Sequence, residues 1–167
     1  MTTTLRFLGI LALSAWIGGS FFLMVFSAPA AFRLLPTREL AGTFVGFTLS
    51  RLHLLAAVAA IIFLACQAWL LHSAKALLQP AALMVFVMLV LTAGSEFGVT
   101  PRMVELRAEM VAANGSIEAA PPASQARQAF ARLHAVSAGL ELSIFVLGLV
   151  VLFITVGQIG VELPLTS

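Results

Sequence analysis

Four long apolar runs constrain this chain more than any other feature of its sequence. Each is close to the roughly 20 residues that a helix needs to cross the hydrocarbon of a bilayer. Because backbone groups in lipid must find their hydrogen bonds within their own segment, such runs fold as helices. The sequence therefore predicts an all-α integral membrane protein, a single domain built as an antiparallel bundle of four transmembrane helices. The predicted spans are about 5–31, 52–71, 81–97 and 133–156.

The composition supports the same class of protein. Hydrophobic residues make up 61% of the chain and charged residues only 10%, and the mean hydropathy of +1.09 lies far above that of a soluble domain. The basic residues are spread over the loops, so the sequence predicts no nucleic-acid partner. The predicted partner is the lipid bilayer, and a homo-oligomer or a larger membrane complex is left open.

The basic residues are divided unequally between the two sides of the predicted bundle. Seven of the nine lie in or next to the loops 29–50 and 98–130, and two lie on the side that holds the termini. The positive-inside rule makes the arginine-rich side cytoplasmic and puts both termini outside. The seven are Arg33, Arg38, Arg51, Arg102, Arg107, Arg127 and Arg132, and the two are Arg6 and Lys75.

Prolines mark the places where two of the helices are predicted to end. Pro29 and Pro36 lie where the first helix is predicted to leave the membrane, and Pro101 follows the third run. A proline interrupts a regular helix. Residues 103–113 then carry apolar side chains at helical spacing. This segment is predicted to form a short amphipathic helix along the inner interface of the membrane.

Ionisable residues inside the apolar runs give the strongest indication of function, because charge in hydrocarbon is costly. Arg-Leu-His opens the second run and recurs at the start of the fourth, while Glu96 ends the third. His53, Glu96 and His134 are therefore predicted to reach one level near the inner boundary. Two histidines on facing helices are the usual ligands of a b-type haem in a helical bundle. The sequence thus predicts His53 and His134 as ligands of haem b.

Two other interpretations of this cluster stay open. Together with Glu96, the histidines offer a two-histidine, one-carboxylate site for a transition-metal ion. With no cofactor, the three side chains would hydrogen-bond one another and tie the helices together. The protein would then be a structural or accessory subunit, or a scaffold, of a larger membrane complex. The sequence does not decide whether the protein is an enzyme.

Glu141 lies deeper in its apolar run than the other ionisable residues of the bundle. It follows His134 by seven residues, which puts both on nearly the same helix face about 10 Å apart. Gln67, in the second run, is a predicted partner for its carboxyl group. Glu141 and Gln67 are therefore candidates for a proton relay towards His134.

Several short motifs, taken in order along the chain, resemble one known family. They are LALSAWIGGSFF at 11–22, APAAF at 28–32, TPRM at 100–103 and FARLH at 130–134. The chain resembles the transmembrane-protein-205-like family, a bacterial group described as a domain of unknown function. The resemblance implies a four-helix protein of the bacterial inner membrane, with periplasmic termini under the charge rule above, and it implies no established activity.

The first of these motifs has a second, looser resemblance. Its pattern, Trp-x-Gly-Gly-x-x-Phe at 16–22, is similar to the copper resistance protein D group and to HemJ-type protoporphyrinogen oxidases. That resemblance implies copper chemistry or haem and porphyrin chemistry. The chain lacks the first-helix histidine that the HemJ pattern leads one to expect.

Overall fold

The computed structural model describes residues 2–72 and 74–162, with the side chains of 74 and 159–162 left out. This part of the chain is almost entirely helical and contains no strand. Four helices are long and apolar enough to cross a membrane, which confirms the predicted fold class. We call them the first to fourth spans: Thr2–Leu34, Arg38–Leu70, Pro80–Asn114 and Gln125–Gln158.

Six α-helices make up these spans. The first span consists of α1 and α2, the second of α3, the third of α4 and α5, and the fourth of α6. The α-helices are α1 (Thr2–Phe22), α2 (Ala28–Leu34), α3 (Arg38–Leu70), α4 (Pro80–Ala93), α5 (Thr100–Asn114) and α6 (Gln125–Glu162). Two π-helical stretches, Leu23–Ser27 and Gly94–Val99, lie inside the first and third spans, and a 3-10 turn, Ala74–Leu78, precedes α4.

The spans are longer than the apolar runs predicted. At 1.5 Å per residue, the 33 residues of α3 extend about 50 Å, whereas the hydrocarbon core of a bilayer is only about 30 Å thick. The second and fourth spans begin well before their apolar runs, and the third continues well past its run. These extensions lie at the arginine-rich end, where the bundle therefore continues beyond the hydrocarbon.

The helices continue through Pro29 and Pro101 instead of ending at them, so that part of the prediction is wrong, whereas the first span ends at Leu34, two residues before Pro36. In both cases a π-helical stretch ends two residues before the proline. Ala28 N–H donates to the carbonyl of Leu23, and Thr100 N–H donates to the carbonyl of Ser95, five residues earlier in each case. In a regular α-helix the proline ring collides with the carbonyl four residues before it. The wider π turn relieves this collision, and the amphipathic segment 103–113 lies within α5 and joins α4 without a break.

The spans pack as a ring in which α1 contacts α3, α3 contacts α4, α4 contacts α6 and α6 contacts α1. Helices α3 and α6 therefore lie on one diagonal of the bundle. An apolar core fills the space between the helices, with Trp16, Phe63, Met88 and Ile144 buried in it. This core occupies the middle of the bundle and separates its two ends.

Candidate functional site

His53 is the centre of a hydrogen-bonded network that links three spans. Its Nδ1 lies 2.7 Å from Oε2 of Glu96, and its Nε2 lies 2.8 Å from Oε1 of Glu141. Ser50 Oγ donates to the other oxygen of Glu96, Oε1, at 2.6 Å. We call Ser50, His53, Glu96 and Glu141 the His53 network.

Local structure explains how these side chains meet. Ser50 and His53 are three residues apart on α3, so they lie on one face and reach the same carboxylate. Glu96 lies in the π-helical stretch Gly94–Val99, and π-helical stretches recur at functional sites. Glu141 lies on α6, diagonally opposite α3, so the contact between His53 and Glu141 crosses the interior of the bundle.

The network is more exposed at one end than at the other. The exposed fraction of the side chain is 5% for His53 and 8% for Glu141, but 28% for Glu96. A proton is therefore exchanged with the surroundings most easily at Glu96. Glu141 is the closed end of the His53 network. A charge at the closed end is costly unless a partner compensates it.

The two nitrogen–oxygen contacts fix how many protons the network holds. A neutral imidazole has one N–H donor and one lone pair, and an ionised carboxylate only accepts. For both contacts to be hydrogen bonds, His53 must be an imidazolium between two carboxylates, or a neutral imidazole with one protonated carboxyl. In either case the three groups carry a net charge of −1. A proton can therefore move across the ring, from one carboxyl to the other, without changing the net charge.

The structure does not bring His134 into this network. Its side chain is exposed, whereas Glu141, on nearly the same face of α6, is buried. Glu141 is the residue of α6 that stands level with His53, and His134 lies seven residues earlier, about 10 Å towards the arginine-rich end. The prediction that the two histidines reach one level is therefore wrong. Repetition of Arg-Leu-His does not set the relative height of two helices that begin outside the membrane.

Gln67 also lies away from Glu141. It follows His53 on α3 by fourteen residues, a distance of about 21 Å along the helix axis. Gln67 lines a cavity at the opposite end of the bundle. The partner of the Glu141 carboxyl group is therefore His53, and Gln67 is not part of the network.

Comparison with known families places the chain in a group whose function is unknown. The model of the domain of unknown function DUF4149 matches residues 11–112. The chain belongs to this family. The match to DUF4149 includes Ser50, His53 and Glu96, whereas Glu141 lies beyond it. No curated protein and no solved structure matches the chain.

The side chains of this DUF4149 chain do not fit a bis-histidine haem. Both ring nitrogens of His53 face carboxylate oxygens, so an iron ligand would have to replace one of those contacts. His134, the predicted second ligand, is exposed. Among the described residues, no group of three or more His, Cys, Asp or Glu is placed to hold a metal ion.

Sequence reasoning missed the hydroxyl groups at this level of the DUF4149 bundle. Ser50 is a direct partner of Glu96, and its position three residues before His53 is the signal that could have found it. Ser20, Ser95 and Ser137 are also buried. Within the described residues, the Oγ atoms of Ser20 and Ser95 have no hydrogen-bond partner.

Proposed function

We propose that this protein binds and transfers a proton inside the membrane through the His53 network, and that the proton enters at the arginine-rich end. One observation carries the proposal: both ring nitrogens of His53 are engaged by carboxyl groups from two other spans. An imidazole in this position passes a proton by accepting at one nitrogen and donating at the other. The exposure of Glu96 relative to Glu141 supports entry at Glu96.

The apolar core limits how far a proton can move from the His53 network. Phe63 lies ten residues beyond His53 on α3, about 15 Å further along the axis, and it is buried with Trp16 and Met88. Apolar side chains cannot donate or accept a proton. We therefore propose a one-sided site, which exchanges its proton with a single compartment and does not conduct protons across the bilayer.

The orientation of the protein decides which compartment this is. The seven arginines at the end that includes Glu96 favour a cytoplasmic location for that end. We infer that the protein lies in a bacterial inner membrane with both termini on the periplasmic side, and that the proton comes from the cytoplasm.

A structural role is the second candidate, and a specific observation favours it. The contact between His53 and Glu141 spans the diagonal of the bundle, and Glu96 adds the third span. Such polar ties hold membrane helices together. In this case the protein is an accessory subunit or scaffold, as a homo-oligomer or in a larger membrane complex. The proton held by the His53 network then does not exchange with the surroundings.

Haem b and a transition-metal ion stay predictions from the sequence, as do the resemblances to the transmembrane-protein-205-like, copper resistance protein D and HemJ-type groups. An absorption spectrum of the purified protein tests haem directly. A Soret band that is lost in His134→Ala would support the haem prediction and count against the proton site proposed above.

Infrared spectroscopy of the protein in lipid nanodiscs separates a mobile proton from a fixed one. We expect the C=O stretching band of a protonated carboxyl group to change with bulk pH, because the network exchanges its proton. Glu141→Gln and Glu96→Gln should each remove this pH-dependent component. Glu105→Gln is the matched control, since Glu105 is exposed and pairs with Arg102 outside the network.

The two candidate functions give different spectra. A component that depends on pH in the wild type and in Glu105→Gln, but not in the network variants, supports proton transfer. A network component that stays constant over the whole pH range would overturn the proposal and leave the structural role.

A further inference from the structure

The hydroxyl group of Ser95 is buried beside the His53 network but takes no part in it. Ser95 precedes Glu96 in the π-helical stretch Gly94–Val99, and its exposed fraction is 0%. Within the described part of the chain, its Oγ has no hydrogen-bond partner. A buried hydroxyl group without a partner destabilises a protein. Native structures therefore satisfy almost all such groups, with protein atoms or with ordered water.

Other hydroxyl groups in these helices find their partner in the backbone of their own helix. Thr92 donates to the carbonyl of Met88, and Ser143 donates to that of Gly139, four residues earlier in each case. The same pattern holds for Thr43, Thr48 and Thr155. Ser95 does not follow it, so its Oγ is directed away from its own backbone and towards the interior of the bundle.

The position of Glu96 shows which way Ser95 faces. Glu96 reaches α3, where it contacts Ser50 and His53. Neighbouring residues of a helix lie about 100° apart around its axis, and Ser95 is wholly buried, so it lies on the interior side of Glu96. The π-helical stretch contacts α6 as well. Glu141 of α6 binds the same imidazole ring as Glu96, and Ser95 and Glu141 therefore lie at one level on neighbouring spans.

The carboxyl group of Glu141 has room for a second partner. An ionised carboxylate accepts up to about four hydrogen bonds, and the described residues supply one contact, from His53 to Oε1. A buried carboxylate is stable only if other groups satisfy its remaining lone pairs. Ser137, one turn earlier on the same face of α6, is also buried, so this face of α6 is polar over a full turn.

The chemistry of these groups selects the ligand that fits between them. The ligand must donate to a carboxylate, which only accepts, and must bond to a hydroxyl group, which donates or accepts. Water meets both conditions, and buried water typically makes about three hydrogen bonds to polar groups that have no other partner. A hard metal ion takes about six or more oxygen ligands, which is more than these side chains provide.

We propose that a water molecule is bound between the third and fourth spans, where it bonds to Oγ of Ser95 and to Oε2 of Glu141. It gives the closed end of the His53 network its second partner, and a hydrogen bond through water is nearly as favourable as a direct one. The site depends on the burial of Ser95 and Glu141 and not on movement of a proton. It is therefore independent of the proton transfer proposed above.

Infrared spectra of the full chain in lipid nanodiscs test the proposal, with dried films rehydrated in ordinary or heavy-oxygen water. The O–H stretching band of a bound water molecule shifts to lower frequency in heavy-oxygen water, whereas a serine band does not, because its oxygen does not exchange. We expect a shifting band in the wild type and in Ser143→Ala, and its loss in Ser95→Ala. Ser143→Ala is the matched control, since Ser143 lies two residues from Glu141 and bonds to its own backbone.

Thermal unfolding shows whether the water joins the two side chains. Groups that share a partner do not have additive effects on stability. Ser95→Ala should lower Tm, and it should lower Tm less in a Glu141→Gln background, where the bridge is already weakened. Ser143→Ala should lower Tm by the same amount in both backgrounds.

Three results would overturn the proposal. The first is a spectrum in which no band that shifts in heavy-oxygen water is lost in Ser95→Ala. The second is additive effects of Ser95→Ala and Glu141→Gln on Tm, which would show that the two side chains share no partner. The third is a rise in Tm for Ser95→Ala, because removing a polar group that truly has no partner is stabilising. If Ser95→Ala fails to fold, Ser95→Cys keeps the shape of the side chain with a weaker donor, and it should also lose the band.

Discussion

At the scale of single residues, His53 is the side chain on which the polar structure of the bundle depends. Both of its nitrogens are used, and its partners come from two other helices. Without the ring, the carboxyl groups of Glu96 and Glu141 would face each other with no donor between them. Removing one partner from a buried charged group is among the most destabilising changes known in proteins.

We predict that His53→Ala lowers the free energy of unfolding by about 3–5 kcal/mol, the range for breaking a buried charge pair. His134→Ala is the control, because this histidine is exposed, and its effect should stay within about 0.5 kcal/mol. Reversible unfolding in detergent measures both. A similar loss of stability in the two variants would contradict the burial of His53 and the exposure of His134.

The sequence identified most of the residues of the network but not their pairing. His53, Glu96 and Glu141 stand out because ionisable groups are rare inside apolar runs. Their pairing depends on the relative height of α3 and α6, and this height follows from where Arg38 and Gln125 begin their helices, outside the apolar runs. The apolar pattern does not show where these helices start, so the sequence alone predicts His134 beside His53 and Gln67 beside Glu141, and both predictions are wrong.

At the scale of single elements, the two π-helical stretches show how a membrane helix accommodates a proline. Each stretch has one residue more than a regular helix would use and ends two residues before its proline. The second of them, Gly94–Val99, also contains Glu96. The lengths of the apolar runs predict four membrane-length helices, as the structure has them, but they give no sign of a single additional residue, so the sequence pattern predicts that the helices end near Pro29 and Pro101.

We predict that deletion of Gly98 alone is destabilising, and that the same deletion combined with Pro101→Ala is tolerated. The deletion removes the additional residue and restores a regular helix, in which the proline ring meets a carbonyl at a cost of about 3 kcal/mol. Replacing the proline removes that collision. Thermal unfolding monitored by circular dichroism compares the variants.

Deletion of Val87 serves as the control for this experiment. Val87 lies in the regular part of α4, where the loss of one residue rotates all later side chains of the span by about 100° around the helix axis. Pro101→Ala should not restore the stability that the Val87 deletion removes. If the double variant at Gly98 is no more stable than the single deletion, the proline is not the cause of the π-helical stretch.

At the scale of the whole molecule, the four apolar runs were sufficient to predict the fold class, because only helices satisfy the backbone within lipid. They were not sufficient to predict the length of the bundle beyond the membrane. The residues of that extension, such as 38–51, are less uniformly apolar, and they are helical because neighbouring helices continue beside them. The unequal charge of the two ends predicts the orientation.

We predict that an impermeant thiol reagent added outside intact cells labels Leu78→Cys and not Asn114→Cys, both in a Cys66→Ala background. Leu78 lies two residues before the third span and Asn114 is its last residue, and both are exposed. The positive-inside rule puts Asn114 in the cytoplasm. Permeabilised cells should show labelling at both positions. The reverse pattern in intact cells would invert the orientation and make the periplasm the source of the proton.

The apolar layer between the His53 network and the far cavity also determines how the site responds to an electric field. A membrane potential acts on a charge by about 2.3 kcal/mol per 100 mV across the full bilayer. Gln67 lies about 21 Å beyond His53 along α3, within the apolar run predicted for the second span, so we expect most of the roughly 30 Å of hydrocarbon to lie on that side of His53. A proton that enters from the arginine-rich end therefore crosses at most about a third of the potential, less than about 0.8 kcal/mol per 100 mV. The charge of the network should follow the pH of that compartment and change little when the membrane is depolarised.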